Sequence, residues 1–245
     1  MRRSVLSRGL PLCLIAVPAL LLSRPLRADA LGDLRAALDR LSAVAPLKAR
    51  VEIARTDLEK EKPKAERKGE AVVEHGPSGL SLHLDPAQLP KPGTKAERKR
   101  RNEATVRLEP DEALKLLDPA RELKEMLEGA TTVSEKSETF EGKAVRTLVL
   151  RPAPDLDEED RKAVKRYEDV VTLRLDAENL PIALDRTVDV KVSKMLLSFT
   201  LAHRESRRFA RHGGRLVTTA ATEESRTSGL GQSGGSKTRW TVTPL

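Results

Sequence analysis

The sequence contains very few cysteine and aromatic residues. Its one cysteine is Cys13, and only five of the 245 residues are Phe, Tyr or Trp. A single cysteine cannot form an intramolecular disulfide, which excludes the disulfide-stapled secreted scaffolds. The scarcity of aromatic side chains argues against single-stranded nucleic-acid binding, which depends on stacking of bases on aromatic rings. We therefore predict no nucleic-acid partner.

Catalytic and metal-binding signatures are also missing. The four histidines, His75, His83, His203 and His212, form no pair at the spacing of metal ligands. We expect no nucleophile elbow, and no phosphate loop either, because no helix pattern follows the glycine-rich segment near the C-terminus. The acidic run 155–160 lacks the glycine and ligand spacing of an EF-hand, so it predicts a helix rather than a calcium site. The sequence thus favours a protein that is not an enzyme and has no metal or cofactor.

The one long apolar run lies at the N-terminus. Three arginines precede the uncharged residues 9–23, and small residues follow shortly before Leu31. This pattern predicts a Sec-type signal peptide over residues 1–30, cleaved before Leu31, and hence a periplasmic or secreted protein. Cys13 lies inside the run rather than at its end, so the pattern does not indicate a lipoprotein. The alternative is an uncleaved N-terminal membrane anchor.

Positive charge is concentrated in two segments of a chain whose formal net charge is +8. Residues 60–68 and 91–101 both contain the run Lys-Ala-Glu-Arg-Lys. Two solvated loops would explain these segments, and an anionic membrane surface is the second interpretation. The candidates for membrane contact are all basic residues of the second segment: Lys95, Arg98, Lys99, Arg100 and Arg101.

Alternating apolar and polar residues dominate the rest of the chain. In the central stretch 167–217, residues such as Val171, Leu173 and Leu175 are separated by polar residues. Side chains of a strand point to opposite faces in turn, so these segments have one apolar and one polar face. Similar segments elsewhere bring the total to nine to eleven strands. Short turns between them predict an antiparallel sheet that curls.

Helical spacing is confined to short segments. We expect an amphipathic helix over residues 31–45 and two short helices separated at Asp118-Pro119, because proline disfavours helix at the residue before it. Together these elements predict a single α+β domain over residues 31–245, with a flexible Gly/Ser-rich loop at 226–237. The candidate lining of a cavity beneath a helical lid is apolar: Leu114, Leu117, Leu123, Leu127, Leu197 and Phe199.

Two local segments resemble the LolA family of periplasmic lipoprotein carriers and the related outer-membrane lipoprotein-sorting-like domains. Residues 140–152 are similar to that family's hairpin, which contains a glycine and ends in proline, and residues 171–182 are similar to its next strand and turn. The order of predicted elements is similar as well, over most of residues 31–245. The resemblance implies an unclosed antiparallel β-barrel wrapped over short helices, with an apolar cavity for acyl chains.

The resemblance implies a periplasmic binding or carrier protein for lipid-like ligands or lipoprotein acyl chains. The chain departs from the family in its few aromatic residues, so the predicted cavity is aliphatic. The family's functional arginine cannot be placed on any one residue, and Arg50, Arg174 and Arg186 are equal candidates. The alternative function is an envelope interaction scaffold with the same fold, a filled core and no ligand.

Overall fold

The computed structural model describes residues 29–41, 45–59, 62–84, 106–154, 156, 158–194, 197–229 and 231–245. The predicted signal peptide lies almost wholly outside these ranges, and the basic segment 91–101 lies outside them entirely. Within them the helices are Ala30–Asp39 (α1), Pro110–Leu117 (α2), Pro119–Leu127 (α3) and Glu158–Ala163 (α4). The strands are Leu47–Glu59 (β1), Lys62–Pro63 (β2), Arg67–Gly76 (β3), Gly79–Leu84 (β4), Thr131–Phe140 (β5), Lys143–Arg151 (β6), Val164–Leu175 (β7), Pro181–Lys194 (β8), Leu197–His212 (β9), Arg215–Gly229 (β10) and Gln232–Pro244 (β11).

The described strands form one open antiparallel sheet. Its order is β4-β3-β1-β11-β10-β9-β8-β7-β6-β5, and the short β2 pairs with β1. Most neighbours are consecutive hairpin partners, but β1 pairs with the last strand, where Val51 lies opposite Val242. The prediction of an unclosed antiparallel sheet with nine to eleven strands is confirmed, with β4 and β5 at its edges.

The helices begin and end where the sequence provides capping groups. Asp29 accepts a hydrogen bond from the Gly32 amide, which caps α1. In α2 a capping box joins Glu109 and Glu112, and Pro119 then starts α3, which confirms the predicted interruption. The first helix is shorter than the predicted 31–45 and ends at Asp39. The acidic run contributes to the short helix α4, although two of its residues are not described.

The helices cover one face of the sheet, which we call the helix face. Leu123 and Leu127 of α3 pack with leucines and valines of β6–β8, and α1 joins the same cluster. Leu117 of α2 packs instead in a second cluster with residues of β1, β3, β10 and β11. The two helices divide the helix face between them.

Residues 226–229 and 232–237, which the composition predicted as a flexible loop, are paired strand. Residues of β10 and β11 remain opposite one another up to Gly229 and Gln232, with Arg226 opposite Gly235. A Cβ atom on Gly235 would lie 2.2 Å from the Ser225 carbonyl oxygen, so the close approach of the two strands requires glycine here. Composition predicted flexibility, but the partner strand supplies the backbone hydrogen bonds that order this segment.

Substituting Gly235 by alanine tests this pairing. Its Cβ would collide with backbone that has little room to move, so Gly235→Ala is expected to lower the free energy of unfolding by about 1–3 kcal/mol. The matched control is Gly234→Ala, whose Cβ would lie 3.6 Å from the nearest atom, the Leu58 carbonyl oxygen. Chemical denaturation of both variants measures the difference. Equal stability of the two would contradict a paired hairpin.

Candidate functional site

The predicted cavity-lining residues do not come together. Leu117, Leu123 and Leu127 are at most 2% exposed and belong to the packed core, and Leu114 is half-buried on α2. Phe199 lies well away from them along β9 and is 44% exposed. The helices thus pack directly onto the sheet at these three leucines, and the exposed apolar surface lies elsewhere.

That surface lies farther along β8 and β9. Arg207 of β9 contacts Glu122 of α3, which places Arg207 on the helix face. Alternation along the strand then places Leu201 and Phe199 on the same face. The register is uninterrupted between β8 and β9, with Val190 opposite Leu201.

We call the uncovered apolar residues of this part of the helix face the apolar strip. Phe199 is 44% exposed and Leu201 is 38% exposed, and the valines opposite and beside them on β8 are half-buried. Monomeric proteins seldom expose contiguous apolar surface without a partner for it. The strip consists of Val188, Val190, Val192, Phe199 and Leu201. The side chain of Leu197, the sixth predicted lining residue, is outside the described part of the structure.

A buried ion-pair network separates the apolar strip from the helix-covered core. Arg207 is only 7% exposed, and its guanidinium donates to the carboxylates of both Glu122 and Glu205. Burial acts to lower the pKa of Arg207, but the hydrogen bonds and charges of the two glutamates outweigh burial and raise it. This network connects α3 to β9 and keeps the guanidinium charged.

Only one of the three candidate arginines lies on the helix face. Arg186 donates from Nε to Asp169 Oδ1 at 3.0 Å and from Nη2 to Oδ2 at 2.6 Å, and Tyr167 also donates to this carboxylate. The hydrogen bonds that Arg186 donates to Asp169 raise the pKa of Arg186. Arg50 and Arg174 occur at alternate positions on the opposite face, where they pair with acidic side chains. Arg186 is therefore the one of these three arginines that lies on the same face as the apolar strip.

A polar pocket of about 220 Å³ lies between the two central helices and strands β8–β11. Glu112 of α2, His203 of β9, Glu223 of β10 and Trp240 of β11 contribute to its walls. Burial raises the pKa of Glu112, and the nearby Glu223 raises it further. His203 Nδ1 lies 3.6 Å from Glu223 Oε1. Val188 of the apolar strip lies directly opposite His203 in the sheet, so the pocket and the strip are adjacent.

Sequence reasoning missed most of this polar pocket. Alternation along the strand predicts His203 on the same face as Phe199 and Leu201, and the structure has it there. Glu205 and Arg207 continue the same alternation, but they stand where an apolar side chain would be expected. The signal available in the sequence was this run of charged residues in phase with apolar ones. The partner Glu122 comes from a helix 85 residues earlier, and no local pattern indicates it.

A pattern found at catalytic serines, Gly-x-Ser-x-Gly, occurs at residues 231–235. In α/β-hydrolases this pattern forms a strained turn between a strand and a helix. Here Gly231 lies in a tight turn and Ser233 lies in β11, which continues as strand to Pro244. The pattern is therefore part of a β-hairpin and not a nucleophile elbow.

Comparison with known proteins assigns no family to the chain. No protein-family model and no curated protein sequence matches it, so the likeness to LolA carriers stays a prediction. In the described ranges, no three His, Cys, Asp or Glu side chains form a group able to hold a metal ion. Nor does any helix of the described residues have the length and apolar character needed to cross a membrane.

Proposed function

We propose that the protein is a non-catalytic binding or carrier protein of the cell envelope for a lipid-like amphiphile. The observation that carries this proposal is the apolar strip, where Phe199 and Leu201 are 44% and 38% exposed on the helix face. The envelope location rests on the predicted signal peptide. The resemblance to LolA carriers agrees with an acyl ligand, but the strip carries the proposal without it.

The dimensions of the apolar strip suit an acyl chain. From Val188 to Val192 the strand advances four residues, which spans about 13 Å at the usual rise of a strand. The strip follows β8 and β9, with Tyr167 of β7 opposite Val190, and it ends at the polar pocket near His203. An amphiphile with one alkyl chain and a compact polar head matches both parts. Its chain would cover the exposed Phe199 and Leu201, which favours binding through burial of apolar surface.

The variant Leu201→Asp tests this function. A carboxylate in the apolar strip would be desolvated by the bound chain, so dodecyl maltoside is expected to bind more weakly by about tenfold or more. Thr200→Asp is the matched control, because Thr200 is exposed and points to the opposite face of the sheet. The affinity of this variant for dodecyl maltoside should change less than about twofold. Isothermal titration calorimetry gives both affinities. Native mass spectrometry of protein from the envelope should also find bound acyl species.

The second candidate function is an interaction scaffold without a ligand. The packed contact of Leu117, Leu123 and Leu127 with the sheet favours it, because these three residues leave no room for a ligand at their own positions. A scaffold would show no binding of dodecyl maltoside to the native protein, and its envelope-purified form would have a clean apo mass. In either function we propose that the basic segment 91–101 contacts an anionic membrane surface, through Lys95, Arg98, Lys99, Arg100 and Arg101.

A further inference from the structure

Two of the carboxylates that line the polar pocket, those of Glu112 and Glu223, lie outside the ion pairs of Arg207. Arg207 holds Glu122 and Glu205. By contrast, Glu112 and Glu223 have no lysine or arginine at ion-pair distance within the described part of the chain. Of the other basic residues that line the pocket, Arg186 is engaged by Asp169 and Lys115 is an exposed residue of α2. The charge of Arg55 lowers the pKa of Glu112 without forming an ion pair with it, and His203 lies 3.6 Å from Glu223.

The arrangement brings like charges together in a partly enclosed space. Glu205 and Glu223 lie directly opposite one another in neighbouring strands, where like charges destabilise a sheet. Glu112 approaches Glu223 from the helix above, and that proximity contributes to its raised pKa. A cation placed between Glu112 and Glu223 would relieve this repulsion.

A second observation comes from the indole of Trp240. Trp240 is 6% exposed and lines the pocket, and its Nε1 has no hydrogen-bond partner among the residues that the structure describes. A buried N–H without an acceptor is costly, so this group calls for an acceptor supplied by a ligand. The ligand that satisfies the pocket therefore carries both a positive charge and an oxygen.

The size and position of the pocket further limit which ligands could bind there. About 220 Å³ accommodates several non-hydrogen atoms rather than a bare ion. The pocket wall at His203 adjoins Val188 of the apolar strip, where the proposed alkyl chain lies. The positive group is thus expected at the head of the same amphiphile. We propose that the polar pocket selects amphiphiles whose head is an ammonium group beside an oxygen, as in amino-alcohol heads, with Glu112 and Glu223 binding the ammonium and Trp240 Nε1 donating to the oxygen.

This inference rests on the proposed function and is tested with three ligands that share a dodecyl chain. N-dodecylethanolamine has an ammonium and a hydroxyl, dodecanoate is an anion, and dodecyl maltoside is neutral. Calorimetry is expected to show N-dodecylethanolamine binding at least about tenfold more tightly than dodecanoate. The double variant Glu112→Gln with Glu223→Gln should lose about tenfold in affinity for N-dodecylethanolamine and change less than about twofold for dodecyl maltoside.

Matched variants complete the experiment. Glutamine at position 112 keeps an acceptor for the capping box of α2, and unchanged binding of dodecyl maltoside reports an intact fold. The control Glu224→Gln alters the next residue of β10, which points to the opposite face and pairs with Arg226, and it should leave all three affinities unchanged. Trp240→Phe should reduce the binding of N-dodecylethanolamine but not that of unsubstituted dodecylamine.

The outcomes separate the two proposals. Equal affinity of the native protein for all three ligands, or an unchanged affinity of the double variant for N-dodecylethanolamine, would overturn the ammonium site and leave amphiphile binding intact. Tighter binding of dodecanoate would do the same. Failure of all three ligands to bind the native protein would overturn both proposals together.

Discussion

Replacing Arg207 by alanine is expected to lower the free energy of unfolding by about 3–5 kcal/mol. The guanidinium is 7% exposed and donates to Glu122 of α3 and to Glu205 of its own strand. Its removal leaves two carboxylates close together in a poorly hydrated site, where unpaired charges are costly. The loss should exceed that of an ordinary surface ion pair severalfold, because the side chains of Arg207 and Glu205 are only 8% and 11% exposed.

Urea denaturation followed by circular dichroism measures this effect. The control is Arg211→Ala in the same strand, where the exposed ion pair with Glu178 should contribute less than about 1 kcal/mol. A second variant, Arg207→Met with Glu122→Gln, removes charge from both partners and is expected to recover part of the stability. A loss below about 1 kcal/mol for Arg207→Ala would show that the network does not stabilise the junction of α3 and β9.

Truncation of Leu127 to alanine should destabilise the protein by about 2–5 kcal/mol while leaving amphiphile affinity unchanged. Leu127 is fully buried in the cluster that joins α1 and α3 to the sheet, so its truncation leaves a cavity. The apolar strip lies outside this cluster and keeps its residues. Val133→Ala is the control, because Val133 is 50% exposed on the edge strand β5. This substitution should change the free energy of unfolding by less than about 0.5 kcal/mol.

The same variant distinguishes a sealed core from a lid. If α3 covered a ligand cavity, Leu127→Ala would alter the affinity for dodecyl maltoside and cost little stability. Denaturation and calorimetry on one preparation give both quantities. A large change in affinity with a small change in stability would contradict the packed core and return the ligand to the space beneath the helices.

The local pattern was sufficient for most secondary structure. Alternation of Val171, Leu173 and Leu175 predicted a strand with one buried face, and all three are fully buried. Asp118-Pro119 predicted the break between the central helices, because a proline acts on its own neighbourhood. Glycine turns such as Gly213-Gly214 predicted where hairpins reverse. Each of these signals acts over a few neighbouring residues, so it can be recognised in the sequence without the tertiary structure.

The site could be predicted only in part. His203, Leu201 and Phe199 were placed on one face from their spacing, and this was correct. The sequence did not show whether the leucines of the short helices line a cavity, because Leu117 and Leu127 have the same helical pattern whether they cover a ligand or a core. The Gly/Ser-rich segment 226–237 has the composition of a loop, yet it is held as strand by its pairing within the hairpin. Composition indicates the conformation that a segment prefers in isolation, and not the extended conformation that pairing with a neighbouring strand imposes on it.

The amino-acid sequence was enough to specify an antiparallel sheet with short helices, and one apolar face along β8 and β9. The tertiary structure alone decided how far the helices reach over that face. It brought Glu122 into an ion pair with Arg207 and Glu112 close to Glu223. It also brought Trp240, from the strand β11 that pairs with β1, into the wall of the same pocket. Those groups are far apart in sequence, and their meeting depends on strand register and helix docking. For this reason the apolar strip was visible in the pattern of residues, and the polar pocket beside it was not.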